Sequence, residues 1–370
     1  MIKTSMICLL LTGMLTLSAC GNSTSATTQS NVGAQSEMVM SSSNILNTKE
    51  QENKTMINEY YTFELNENVE RAHVSFKNRY GITIAADLYT PKNMDKTKHY
   101  PALVVGPPYG GVKEQGPGVY ANQMSQRGFV VLAIDPSFNG YSEGQPRHVS
   151  SPDIFTEDFS AAVDYIGTRS FVNRDQIGAI GICGSGGFAL SAAQVDTRIK
   201  AIATASLIDI SSNFDALTAE QRTAMLDEVS QQRWVDFENG EPEYIPTFPS
   251  EPDTQIPEGL DPMSAEFYSY YGLERGHHPN ATANFTTTST TTFMNYNLLD
   301  HLDTISPRPV LLLVGENAMT KGLSEVVYEQ LSGSKELVVV PGANHVDLYD
   351  QVDSIPFDKL ESFFKDAFEA

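Results

Sequence analysis

The chain has 370 residues, 41% of them hydrophobic, and its 46 acidic and 24 basic side chains give a net charge of −22 at pH 7. Because so acidic a chain repels nucleic acid and anionic lipid, we expect no nucleic-acid partner and no electrostatic adhesion to a membrane. The three cysteines, Cys8, Cys20 and Cys183, do not form the spaced, even-numbered set of a disulfide framework.

The first 20 residues have the features of a bacterial lipoprotein signal. Lys3 gives a positive start, residues 7–17 are mostly apolar, and Leu17-Ser18-Ala19-Cys20 is similar to a lipobox. We expect Cys20 to be lipidated and to anchor an extracytoplasmic protein to the bacterial cell membrane. The alternative is an ordinary secretory signal that is cleaved near the same place.

The next segment, residues 21–57, differs in composition from the rest of the chain. It is rich in Ser, Thr, Asn and Gln and has few aromatic residues. Such a segment cannot bury enough apolar surface to offset the entropy of ordering. We therefore predict a flexible tether over 21–57 and a folded domain over 58–370.

Within the folded region, short apolar segments alternate with helical ones. Residues 74–78 and 82–89 alternate polar and apolar side chains around Arg79-Tyr80-Gly81, which predicts an antiparallel hairpin. Six further apolar runs predict buried strands, with three helices between them: strands at 101–106, 129–135, 177–182, 200–206, 309–314 and 336–340, and helices at 117–127, 153–168 and 186–194. The pattern predicts a mostly parallel sheet with helices on both faces.

Residues 208–305 interrupt this alternation between the sixth and seventh predicted strands. They hold a charged helical stretch at 217–239, a Pro-rich stretch at 241–262, a Tyr-rich stretch at 267–271 and a Thr-rich run at 286–292. We interpret the interval as a cap inserted into the fold, and the Thr-rich run as a loop.

The strand predicted at 177–182 leads into Gly181-Ile182-Cys183-Gly184-Ser185-Gly186-Gly187. Small residues around a nucleophile at a sharp strand-to-helix turn are typical of the nucleophile elbow of an α/β-hydrolase. Cys183 is the predicted nucleophile, since it directly follows the strand. Ser185 is also flanked by small residues at this spacing and is the second candidate nucleophile. The alternative is that Cys183 is a buried cysteine with no catalytic role.

The chain resembles the α/β-hydrolase superfamily along residues 70–370, and most closely its dienelactone-hydrolase-like branch. It looks similar to uncharacterised bacterial proteins that are grouped with fungal polyketide-transferase-type hydrolases. Four motifs carry the resemblance: Gly106-Pro-Pro-Tyr-Gly-Gly-Val-Lys-Glu-Gln115, Asp135-Pro-Ser-Phe138, the elbow at 181–187, and Pro341-Gly-Ala-Asn-His-Val-Asp-Leu-Tyr349.

The resemblance implies a catalytic histidine and an acid. His345 follows the last predicted strand, where the family places its base. Most relatives have Gly-x-x-Asp after the seventh strand, but this chain has Gly315-Glu316-Asn317-Ala318. Glu316, or Asp209 beyond the sixth strand, is therefore the candidate acid. A missing acid matters less here if Cys183 and His345 form a thiolate–imidazolium pair.

The resemblance also implies an oxyanion hole from two backbone amides, those of Tyr109 and Gly184. We find no metal-ligand spacing and no phosphate-binding loop, and therefore expect neither metal nor cofactor. The predicted function is hydrolysis of a small ester, lactone or thioester, with acyl transfer to another acceptor also open. The alternative is a non-catalytic binding lipoprotein on the same fold, since the usual acid is missing.

Overall fold

A computed structural model describes residues 60–245 and 247–369, and its centre is one eight-stranded sheet. In spatial order the strands run β1-β2-β4-β3-β5-β6-β7-β8. Their bounds are β1 (Val69–Lys77), β2 (Thr83–Pro91), β3 (Tyr100–Gly106), β4 (Val130–Ile134), β5 (Val172–Ile182), β6 (Ala201–Ala205), β7 (Val310–Gly315) and β8 (Lys335–Val340). The signal, the lipidation site Cys20 and the tether lie outside the described residues, so these remain predictions.

The pairing of the strands follows the sequence pattern. β1 and β2 form the antiparallel hairpin, β2 pairs antiparallel with β4, and all remaining neighbours are parallel. The parallel strands β3, β4, β6 and β7 are buried almost throughout, because helices cover both faces. The predicted α/β-hydrolase architecture is confirmed.

Helices lie on both sides of this sheet. They are α1 (Gly116–Gln126), α2 (Pro152–Gly167), α3 (Gly184–Val195), α4 (Ala219–Asn239), α5 (Pro262–Tyr271), α6 (Thr290–Phe293), α7 (Lys321–Gln330), α8 (Asp347–Asp350) and α9 (Phe357–Glu369), with 3₁₀ turns at Ser211–Phe214, Thr287–Ser289 and Leu302–Ile305. Side chains of α2 and α3 pack into one core and those of α1 and α9 into a second. The alternating residues of β4 divide between these two cores, which places the sheet between two helical layers.

The predicted cap interval lies between β6 and β7 and contains α4, α5 and α6. The loop predicted at 286–292 is wrong, since a 3₁₀ turn and α6 occupy it. The Thr291 hydroxyl donates to the Thr288 carbonyl and the Thr292 hydroxyl to that of Ser289, so these side chains satisfy a tight helical turn. In the described part of the chain, no helix combines the length and apolarity needed to cross a bilayer.

Candidate active site

Cys183 occupies the turn between β5 and α3. Its φ of 53° and ψ of −119° place a non-glycine residue in a strained conformation, as a nucleophile elbow requires. Its amide donates to the Ala205 carbonyl at the end of β6, and its own carbonyl accepts from the Gly186 and Ile208 amides. These bonds hold the elbow at the carboxyl end of the parallel strands.

Ser185, the rival nucleophile, lies in the first turn of α3 and faces away from this turn. A Cβ atom built on Gly106 would meet the Ser185 hydroxyl at 2.7 Å and the Phe159 ring at 2.4 Å, so that hydroxyl lies beside a core side chain. A Cβ on Gly181 would meet the Ser185 carbonyl oxygen at 2.1 Å, so the helix crosses the strand very closely here. The backbone geometry therefore favours Cys183.

Two backbone amides converge on the Cys183 sulfur. The N–H groups of Tyr109 and Gly184 both lie beside Sγ and lower the pKa of its thiol. Tyr109 belongs to the loop after β3, and its ring is fixed by stacking on Phe285 with centroids 4.1 Å apart and by a 2.7 Å bond from its hydroxyl to Ser150 Oγ. The structure thus brings together the three residues for which the sequence predicts a nucleophile and an oxyanion hole.

His345 lies in the turn between β8 and α8, and both ring nitrogens contact hydroxyl groups. Thr320 Oγ1 lies 2.5 Å from Nδ1, and the Tyr349 hydroxyl lies 2.9 Å from Nε2. The Ser206 hydroxyl donates to the His345 carbonyl at 2.7 Å, which fixes the backbone of the turn. Among the described residues, no hydrogen bond joins Cys183 to His345 directly, because the Tyr349 hydroxyl contacts both.

Neither predicted acid contacts the histidine ring in the described part of the chain. The Glu316 carboxylate is exposed and accepts from the Gly342 amide, while Asp209 accepts from the amide and hydroxyl of Ser211. The position beside Nδ1 is occupied by Thr320, two residues beyond Ala318. The loop after β7 thus reaches His345, but it brings a neutral hydroxyl.

Burial sets the charge state of the pair. It raises the pKa of the Cys183 thiol, and the hydrogen bonds from Tyr349, Tyr109 and Gly184 oppose that rise only in part. Burial also lowers the pKa of His345 to about 3, and no carboxylate of the described residues hydrogen-bonds the ring. At neutral pH the resting pair is a thiol and a neutral imidazole. Both shifts disfavour the expected thiolate–imidazolium pair in this closed site.

The cap covers the site through α5. The Phe267 ring packs edge-on against His345 with centroids 5.2 Å apart, and Glu266 Oε1 accepts from the Val346 amide at 3.0 Å. Cys183 is 4% exposed and His345 is 2% exposed, so a substrate must displace part of this cover. No group of three or more His, Cys, Asp or Glu side chains suited to a metal ion occurs in residues 60–245 and 247–369.

Two contact residues of the site were not identified from the sequence. Tyr349 ends the motif that contains His345 and lies one helical turn beyond it, which is a spacing that could have been noticed. Thr320 carries no such signal, because a threonine before a helix is first of all a capping residue.

Comparisons with known proteins support the fold. Residues 80–245 match the family model for X-Pro dipeptidyl-peptidases of the S15 family, a stretch that includes Cys183 and ends before His345. The uncharacterized protein PA2218 of Pseudomonas aeruginosa is 45% identical over 359 residues, which cover 95% of this chain and 91% of that protein. Its crystal structure superposes with a TM-score of 0.79, at 48% identity over 83% of this chain and 96% of the other.

Two further relatives extend the comparison. The uncharacterized protein YcjY of Escherichia coli is 35% identical over 75% of this chain and 92% of its own length. A fungal relative from Aspergillus aculeatus, thiohydrolase aneE, is 24% identical over 66% of this chain and 78% of its own length. The α/β hydrolase GrgF from Penicillium superposes with a TM-score of 0.68 at 24% identity, over 81% of this chain and all of the other, and shows the shared fold.

These matches support the superfamily and a hydrolase, whereas the narrower likeness to the dienelactone-hydrolase-like branch stays a prediction. PA2218 and YcjY are each more than 30% identical over nine-tenths of their own length. The chain belongs to the same family as PA2218 and YcjY and has the α/β-hydrolase fold, and its matches to the S15 family model and to a fungal thiohydrolase support a hydrolase.

Proposed function

We propose that this protein hydrolyses thioesters and activated esters through an acyl-enzyme on Cys183. The observation that carries the proposal is the convergence of the Tyr109 and Gly184 amides on Sγ. The carbonyl carbon of a substrate bonds to Sγ in the reaction, so its oxygen comes within the same pair of donors. Donors fixed in advance at the point where negative charge develops are the largest single contribution in many acyl-transfer enzymes.

In the first half of the reaction, Sγ attacks the carbonyl carbon while its proton moves to His345 Nε2. The π electrons of the carbonyl move to the oxygen, which accepts hydrogen bonds from the two amides. The C=O bond then re-forms, the bond to the leaving group breaks, and the leaving group takes a proton from the imidazolium. In the second half, water attacks the acyl-enzyme with His345 as base, and Cys183 recovers its proton as the acid product leaves.

The electrostatics of the site favour a particular leaving group. A buried histidine whose pKa is lowered to about 3 is a weak base, and no carboxylate supports its charged form. The thiol is therefore activated only weakly, so the substrate carbonyl must itself be reactive, and thioesters and activated esters meet that condition better than amides. The name thiohydrolase of the fungal relative points to the same substrate class. Because residues 80–245 match the model for X-Pro dipeptidyl-peptidases, an X-Pro peptide is the substrate with which the thioester should be compared.

The experiment is a single-turnover reaction of the full-length chain with a short-chain phenyl thioester, followed by acid quenching and mass spectrometry of the digest. We expect an acyl group on the Cys183 peptide, no label in Cys183→Ala, and labelling slower by about 10²–10⁴-fold in His345→Ala. Ser185→Ala is the matched control and keeps the label. Labelling at equal rates in wild type and His345→Ala would overturn the Cys–His assignment.

The same assay separates this function from the alternatives. Turnover of an X-Pro anilide at a rate comparable to the thioester would indicate a peptidase, and a stable adduct on Ser185 would move the nucleophile. A chain that binds thioesters without any acylation would be the non-catalytic binding lipoprotein. We further propose that lipidated Cys20 anchors the enzyme at the extracytoplasmic face of the membrane, which labelling with a fatty-acid probe in wild type and Cys20→Ser tests.

A further inference from the structure

The Tyr349 hydroxyl lies between the two groups of the proposed catalytic pair. It is 2.9 Å from His345 Nε2 and lies beside Cys183, where it lowers the pKa of the thiol. Tyr349 belongs to the short helix α8 and is fully buried. The Tyr270 ring packs edge-on against it with centroids 5.1 Å apart. The phenol is therefore fixed in place by its surroundings.

The chemistry of the neighbours gives the hydrogen bonds a direction. Of the three groups that lower the pKa of the thiol, the two backbone N–H groups can only donate, so the Tyr349 oxygen is the one among them that can accept the thiol proton. With that oxygen accepting from sulfur, the Tyr349 proton is free to point at Nε2. The tautomer with a proton on Nδ1 then donates to Thr320 Oγ1, and every group in the row is satisfied.

We propose that Tyr349 is a catalytic residue that relays the proton from Cys183 to His345, an inference that rests on the proposed function. As Sγ bonds to the carbonyl carbon, its S–H bond breaks and the proton moves to the Tyr349 oxygen. In the same step the Tyr349 O–H bond breaks and that proton moves to Nε2. The phenol is unchanged, the imidazole becomes an imidazolium, and the negative charge resides on the substrate oxygen.

The transfer must be concerted, because the alternative is a buried phenolate. Burial raises the pKa of Tyr349 well above its ordinary value. A stepwise transfer through tyrosinate would therefore be slower than a transfer in which both protons move together. The relay also explains how a thiol and an imidazole that share no direct hydrogen bond can react as a pair.

The test is a double-mutant cycle on the rate at which the phenyl thioester acylates Cys183 in the full-length chain. We expect Tyr349→Phe to slow acylation by about 100-fold in the wild-type background and by less than about threefold in His345→Ala, because a relay without its acceptor does nothing. Tyr270→Phe, which removes another hydroxyl from the same buried cluster, is the matched control and stays within about threefold of wild type. Thermal melting verifies that each variant is folded.

The remaining outcomes distinguish the relay from the function on which it rests. Wild-type acylation rates in Tyr349→Phe, with His345→Ala slow, overturn the relay and leave the proposed function standing. An equal loss in both backgrounds assigns Tyr349 a packing role only and also overturns the relay. A wild-type chain that is not acylated, or is acylated equally in His345→Ala, overturns both. A rate that varies quadratically with deuterium content in wild type and linearly in Tyr349→Phe supports two protons in flight.

Discussion

Gly184→Ala tests the oxyanion hole with the smallest possible change. A Cβ atom at this position would lie 2.7 Å from Tyr109 Cβ and 3.3 Å from Tyr109 N. Contacting carbon atoms prefer separations of about 3.5–4.0 Å, so one partner must move by ~1 Å. The Tyr109 side chain cannot rotate away, because Phe285 stacks on its ring and Ser150 accepts from its hydroxyl. The backbone of the loop after β3 has to move.

That movement separates the two amides that converge on Sγ. An oxyanion-hole donor works within about 2.7–3.1 Å of the charged oxygen, so a displacement of ~1 Å removes most of its contribution. Loss of one such donor lowers kcat by about 10²–10³-fold, which corresponds to about 3–4 kcal/mol. The same overpacking should lower the free energy of unfolding by about 1–3 kcal/mol, which a lower melting temperature would reveal.

The assay measures kcat on the phenyl thioester and, in parallel, thermal unfolding of each variant. Gly322→Ala is the matched control, because Gly322 lies in α7 and a Cβ there meets no atom within 4 Å. The control should retain activity and gain slightly in helix stability. If folded Gly184→Ala keeps kcat within about threefold of wild type, the Tyr109 and Gly184 amides are not the oxyanion hole.

Three further predictions follow from the charge state and contacts of His345. Because burial lowers the pKa of His345 to about 3, kcat/KM for the thioester should stay level from about pH 5 to 8, without an acid limb near pH 6.5. A bell-shaped pH profile centred on pH 6–7 would contradict a neutral Cys183–His345 pair. His345 binds a proton at the ordinary histidine pKa in the unfolded chain but not in the folded one, so the free energy of unfolding should fall as pH drops from about 7 to 4. In urea unfolding, that fall should be smaller in His345→Gln than in wild type, by up to about 3 kcal/mol. Thr320→Val should lower kcat by about 10-fold or more, since it leaves His345 Nδ1 buried without a hydrogen-bond partner. The kcat of Glu316→Gln should stay within about threefold of wild type. If steady-state kinetics show the larger loss in Glu316→Gln, Glu316 is the acid.

The arrangement of the sheet could be predicted because buried strands leave a strong signal. Continuous apolar runs such as that of β3 can only be covered on both faces, and their order along the chain limits the topology. The Thr-rich run was predicted wrongly as a loop because its sequence is low in complexity. In the structure its hydroxyls bond nearby carbonyls, and Ser289 Oγ accepts from the Ser150 amide, a tertiary contact that no local pattern shows.

In the site, too, the residues marked by the local sequence pattern could be predicted, whereas contacts between distant residues could not. Cys183 and the Gly184 amide are adjacent in sequence, and His345 stands at a fixed place after the last strand, so the pattern indicates all three. Thr320 and His345 are 25 residues apart and meet only because β7 and β8 are neighbours whose following loops converge. Which side chain of the loop after β7 turns toward the ring depends on backbone detail that spacing does not encode.

The hydroxyl at Nδ1, the uncharged resting pair and the proposed substrate class have one physical origin. A carboxylate beside Nδ1 would favour the charged form of the imidazole, because a nearby opposite charge raises the pKa of a histidine. Thr320 instead satisfies Nδ1 without charge, and the ring stays neutral under the cover of Phe267. An imidazole left neutral is a weak base and activates the thiol only weakly, so it suits acyl groups whose carbonyl is already reactive. Under the proposed function, the alanine at position 318 thus favours thioester over amide substrates and leaves most of the stabilisation of the oxyanion to the amides of Tyr109 and Gly184.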